Sequence, residues 1–280
     1  QPIELPPGGT GTFGVHQGSW AGEHTPRQRR PVLLFPSGTI ATRRGPGVQA
    51  TVLDSLSVRT TEYTGTPYKE QAMPADLPPN VAYTYAVELG ADEVDPLAGE
   101  TLEFSQPVVF YLENFLGDQT DPMGRFGVGR KVPVGTYDRK AGVWMPESDG
   151  RVIKILSRGS STVEVDADGD GQADVAPDAL VSAEERLELF NLGYPAGQEL
   201  WRVQLTHFTP ADCNWTYGPP GCASRPLGGM KRPGQESCKK NEVGCQDQTV
   251  GEQLGAPGAH SGLSYDTNRM RGREDAYRLP

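Results

Sequence analysis

Four aspartates fall within nine residues at Asp166-Ala167-Asp168-Gly169-Asp170-Gly171-Gln172-Ala173-Asp174, and that spacing has a chemistry. A calcium ion takes six to eight hard oxygens around one point, which a tightly turning loop supplies from alternate positions. Asp166, Asp168 and Asp170 stand at positions 1, 3 and 5 of such a loop, and Gly171 at position 6 permits the sharp turn. Gln172 offers its backbone oxygen at position 7, and Asp174 offers a carboxylate at position 9, directly or through water. Without a cation the four charges repel one another. Position 12 departs from the helix-flanked sensor loops, because Pro177 stands where those carry Glu, with Asp178 after it. The loop therefore predicts a structural Ca2+ site of the extracellular kind, with an affinity of about 10⁻⁴ to 10⁻³ M. At millimolar calcium such a site stabilises the fold by about 1–2 kcal/mol.

Other reactive residues carry weaker patterns. Cys213, Cys222, Cys238 and Cys245 all lie late, without the C-x-x-C pairs of structural zinc sites, and four cysteines allow three pairings. Disulfides between Cys213 and Cys222 and between Cys238 and Cys245 are the favoured reading, which implies an oxidising compartment. Trp215 and Tyr217 sit between the first two cysteines, where they either pack under the loop or stack on a sugar ring. Gly9-Thr10-Gly11-Thr12-Phe13-Gly14 matches a dinucleotide fingerprint literally, but follows Pro6-Pro7 and opens no helix. Gly124 and Gly129 have phosphate-loop spacing, but Arg130-Lys131 replaces the Lys-Ser/Thr pair. No G-x-S-x-G elbow and no H-E-x-x-H motif exists, so the chain reads as non-enzymatic.

The elements that must position these residues are mostly strands. Glycine (35) and proline (25) make up about a fifth of the 280 residues, a composition suited to short strands and turns. Segments 32–35, 52–61, 82–89 and 101–112 are rich in Val, Thr, Tyr and Phe, with period-two alternation and Gly/Pro breakers between them. A second set follows at 131–138, 143–146, 152–156 and 200–208. Trp144, Tyr137 and Trp201 fall in these strands and read as core. One helix is expected over 182–191, opened by the capping box of Ser182 with Glu185 and stopped by Gly193 and Pro195, with Leu187 and Phe190 turned inward. The fold class is mainly β: Ig-like or β-sandwich modules with one short helix and long Gly/Pro-rich loops. The expected organisation is an irregular leader over 1–30, a β-sandwich over 31–130 and a second β-rich unit with the calcium loop over 131–212. A cysteine-bearing connector with a barrel strand then occupies 213–280.

Charge limits the partners. A formal net charge of −10 without a basic aromatic patch argues against nucleic acid. The arginine spots at Arg27, Arg29, Arg30 and at Arg269, Arg271, Arg273 read as solvated tails. The longest apolar run is about five residues, far short of the roughly 20 of a membrane helix. The chain starts at Gln1 with no visible signal peptide, and so reads as a processed product or a fragment.

Several short motifs together resemble the region just upstream of the YD-repeat shell in large bacterial RHS-type, teneurin-like proteins. They are Val132-Pro133-Val134-Gly135-Thr136-Tyr137-Asp138, Gly142-Val143-Trp144-Met145-Pro146, Leu200-Trp201-Arg202-Val203 and His207-Phe208-Thr209-Pro210-Ala211-Asp212-Cys213-Asn214-Trp215. Cys238 to Cys245 and Leu263-Ser264-Tyr265-Asp266-Thr267-Asn268-Arg269 look like the lead-in and first strand of the repeats, although Gly258-Ala259-His260 stands where Gly-Thr-Pro is usual. The resemblance implies a secreted or cell-surface protein. In it this chain would cap or anchor the repeat shell without catalysis, against the rest of the shell or other copies of itself. The rival expectation is an adhesin module binding a surface glycan or protein through Trp215 and Tyr217.

Overall fold

Val32, Leu33, Leu34 and Phe35 are four apolar residues in succession, and all four are buried. A strand covered on one face would alternate, so an unbroken run requires cover on both faces. The structure, a computed structural model, describes residues 2–5, 13–21, 28–64, 73–75, 84–117, 126–175, 179–215, 252–254 and 263–265. These form β1 (Ile3–Glu4), β2 (Gly14–Gln17), β3 (Val32–Phe35), β4 (Ala41–Gly45), β5 (Val48–Leu53) and β6 (Ser55–Leu56). Next come β7 (Val58–Glu62), β8 (Ala86–Ala91), β9 (Thr101–Glu113), β10 (Lys131–Val132), β11 (Gly135–Asp138) and β12 (Val143–Pro146). The last are β13 (Gly150–Arg158), β14 (Val163–Asp166), α1 (Ala183–Asn191), β15 (Glu199–Phe208), β16 (Pro210–Asp212), β17 (Glu252–Leu254) and β18 (Leu263–Tyr265).

The chain is mainly β, as its composition implies. In the larger sheet β10, β13, β15, β9, β3 and β2 lie side by side; β14 extends from β13, and β4 then β5 extend from β9. A second sheet runs β12, β11, β16, β8, β7. Between the two sheets lie Leu33 and Phe35 of β3, Phe110 and Leu112 of β9, Trp201 and Val203 of β15, and Val87 and Leu89 of β8. The opposite face of the larger sheet carries Val32, Leu34, Val109 and Ile153, covered by Leu189 of α1 and by Val181 and Tyr194 beside it. Period two therefore sends alternate side chains into two different cores, and this is why β3 shows no alternation. No helix among the described residues is long and apolar enough to cross a membrane.

Five expectations change. The leader is not irregular throughout: β1 pairs with β6, and β2 pairs with β3 along Gly14↔Phe35 to Gln17↔Val32. Arg29 is no solvated tail, being 8% exposed, ion-paired with Glu62 and stacked 4.3 Å from the Phe115 ring centroid. The division at 130/131 falls inside one compact unit of residues 1–76 and 83–215. β9 from the first half pairs with β15 from the second over Leu102↔Phe208 to Glu113↔Leu200, and β8 pairs with β16. Strand periodicity reports which face a residue takes but not which strand lies beside it. Further, α1 buries Glu185, Glu188 and Leu189, while Leu187 is exposed. Its inward face is set by an ion pair, since Glu185 accepts two hydrogen bonds from Arg202 at 2.8 and 2.9 Å and one from the Tyr111 hydroxyl at 2.6 Å. Trp201 is fully buried as expected, whereas Tyr137 and Trp144 form a half-buried pair 5.4 Å apart.

In the second unit, residues 77–82 and 216–280, β17 and β18 pair antiparallel with Gln253 opposite Ser264. The strand expected at the start of the repeats thus has a partner within the chain.

Candidate metal centre

β14 carries the chain out of the larger sheet and ends at Asp166, which sits opposite Lys154 of β13. The loop after it is organised by its own carboxylates. Asp166, 3% exposed, accepts the Gly169 amide on Oδ1 at 2.7 Å and the Gly171 amide on Oδ2 at 2.9 Å. Asp168 accepts the Asp170 amide at 3.0 Å, and Asp170 accepts the Gln172 amide at 2.7 Å. The loop closes where the Ala167 amide donates to Asp174 Oδ2 and the Asp174 amide donates to the Val165 carbonyl. Gly169 and Gly171 have φ of 87° and 81°, the left-handed region where a Cβ is penalised.

This fold brings carboxylate oxygens of Asp166, Asp168 and Asp174 within 4.8 Å of one another. The Asp174 carboxyl titrates above the usual carboxylate range because burial disfavours its charge. The Asp168 and Asp166 carboxylates push it the same way, against the Ala167 amide and Arg186. A cation removes that repulsion, and a donor set of hard carboxylate oxygens suits calcium or magnesium rather than zinc. Asp170, also expected as a ligand, is exposed and lies outside this triad; Gln172, expected to offer its backbone oxygen, donates its backbone and side-chain amides to Asp170. Pro177 and Asp178 lie outside the described residues.

Two supports of the loop were not read from the sequence. Arg186 of α1 donates to the Asp174 carbonyl at 2.7 Å and to the Val181 carbonyl at 3.1 Å, tying the helix to the loop. The turn at Gly127–Arg130 packs backbone against backbone on the other side. A Cβ at Gly129 would collide with the Asp168 carbonyl, and one at Gly169 would stand 2.6 Å from the Val128 oxygen. Gly129, at the entry to β10, was the available signal, since a glycine beside a strand often marks a close backbone approach.

The remaining candidates fare differently. Cys213 is a free, buried thiol lining a small apolar void with Val87, Leu89, Phe110, Val134, Val203, Leu205 and Ala211. Burial, and then the Asp212 charge, push its pKa up, which makes it a poor nucleophile. The expected bridge to Cys222 is absent from the described residues; Cys222, Cys238, Cys245 and Tyr217 lie outside them. Trp215 is 6% exposed and packs at 4.9 Å on Trp201 and at 5.1 Å on Phe126, so it presents no open face to a sugar. Comparison with protein-family models, with curated proteins and with solved structures finds no match to this chain.

Proposed function

We propose that the chain is a non-catalytic structural module whose aspartate loop takes a calcium ion to staple three parts of the fold. The observation that carries this reading is the convergence of Asp166, Asp168 and Asp174 at a loop joined to β14, to the Gly127–Arg130 turn and, through Arg186, to α1. An ion held there would stabilise the folded chain and leave the unfolded chain unaffected, so stability should follow calcium concentration by mass action. The reading extends to a secreted or surface YD-repeat protein in which this module caps or anchors the repeat shell. That extension rests on the motif resemblance, and the mainly β fold agrees with it in class alone.

Thermal unfolding followed by circular dichroism tests the ion. Adding millimolar calcium to chelated protein should raise the midpoint by about 2–4 °C, the shift that about 1 kcal/mol gives a chain of this size. Asp166→Ala should abolish the rise. An identical midpoint in chelator and in saturating calcium would remove the cation from the proposal. For the wider context, size-exclusion chromatography of the intact secreted material should show peptides of this chain eluting with a much larger polypeptide.

A further inference from the structure

The loop contains two Asp–Gly steps, Asp168–Gly169 and Asp170–Gly171, both exposed. Such a step can cyclise. The glycine nitrogen attacks the protonated aspartate Cγ, a C–N bond forms, and the Cγ–OH bond breaks. The hydroxyl and the amide proton leave as water. Water then opens the five-membered imide at either carbonyl, restoring aspartate or leaving the chain running through the side-chain carboxyl as isoaspartate. Glycine favours the reaction because no Cβ shields its nitrogen and its backbone swings freely. The step needs a free glycine amide and an aspartate carboxyl turned back upon it.

In the folded chain hydrogen bonds oppose both conditions, and the step proceeds only as fast as those bonds open. The Gly169 and Gly171 amides both donate to Asp166, one to each oxygen, and the carboxyls of Asp168 and Asp170 are held by the amides two residues on. The two steps differ in what else restrains them. Gly169 is wedged against the Val128–Gly129 backbone, whereas a Cβ at Gly171 would meet no atom within 4 Å. We infer that Asp170–Gly171 is a site of spontaneous isomerisation, and that Asp166 is the positioning residue that suppresses it by holding the Gly171 amide. Asp168–Gly169 has the same chemistry but is clamped twice, and it serves as an internal control. Isomerisation at Asp170 inserts one methylene into the backbone ahead of Gly171 and draws its amide off Asp166, so the change loosens the loop permanently.

The test incubates the full chain in heavy-oxygen water with chelator, at mildly acidic pH, so that the result does not depend on any bound cation. Peptide mapping with electron-transfer fragmentation then reads label and isoaspartate at each step. The expected result is accumulation at Asp170 several-fold ahead of Asp168 in the native chain, with the two levelling in urea. Asp166→Ala should speed the Asp170 site roughly tenfold, the factor carried by a lost hydrogen bond to a charged group. Should that variant not fold, the native and urea arms still decide. Equal rates at the two steps in the native chain, or a native Asp170 rate matching that in urea, overturns the inference.

Discussion

Glu113 shows how much one side chain depends on its surroundings. It closes β9, is 6% exposed, and accepts the Arg30 amide at 2.7 Å, with Tyr194 close by. Burial raises its carboxyl above the ordinary range, and the hydrogen bonds and the charge of Arg30 recover only part of that cost. In the pH range between the unfolded and the raised native value, the native state therefore holds a proton that the unfolded state has released. Such a group lends stability that is complete below the unfolded value of about 4.3 and is lost as pH rises through the raised native value. Glu113→Gln keeps an acceptor for Arg30 and removes the charge. Denaturant unfolding across a pH series should show the variant gaining on the parent steadily above about pH 4.3, with a smaller fall of stability toward neutrality. Parallel curves for the two proteins would mean that Glu113 is charged at no cost. Asp212, also buried and raised, has the same sign and leaves a residual slope in the variant.

At the scale of elements, α1 was legible in its ends but not in its orientation. Ser182 caps it by accepting the Glu185 amide at 3.1 Å, one half of the S-x-x-E capping box, while the Glu185 carboxylate turns to Arg202 and Tyr111 and leaves the reciprocal half unmade. The inward face was legible only in part: Phe190 packs against the core as a hydrophobic count suggests, but Leu187 is exposed, and such a count gives no weight to a glutamate whose partner, Arg202, is 17 residues away on β15. The aspartate loop divides likewise: its existence and its glycines follow from spacing, while Arg186 and the Gly127–Arg130 turn come from tertiary packing that spacing does not encode. The Glu185–Arg202–Tyr111 cluster yields a direct test. Arg202→Leu alone strands a buried carboxylate and should cost about 3–5 kcal/mol of unfolding free energy. Replacing Glu185 and Tyr111 as well, by Leu and Phe, should recover most of that loss, since three polar groups then give way to apolar ones. Urea titration reads both, and simple additivity of the single variants would show that the cluster does not act as a unit.

At the scale of the molecule, strand identity was largely readable and strand partnership was not. β3, β9, β12 and β15 fall at or within a residue of their expected positions, since β-branched and aromatic runs between Gly/Pro breakers mark strands locally. Which strands pair depends on contacts across the chain, as where Leu102 meets Phe208 in β9 and β15. The consequence reaches the notion of a domain. A chain cut between 130 and 131 would leave β9 with an open edge from Leu102 to Glu113, and would strip Leu33, Phe35 and Phe110 of Trp201 and Val203. Long-range pairing of this kind makes folding all-or-none across the two halves. Residues 1–215 expressed alone should therefore unfold in one cooperative transition with near-ultraviolet dichroism from the buried Trp201 and Trp215. Residues 1–130 and 131–215, expressed separately, should each lack both. A cooperative transition in either half would restore the boundary that the strand spacing suggests, and would mean that the β9–β15 ladder joins two units able to fold apart.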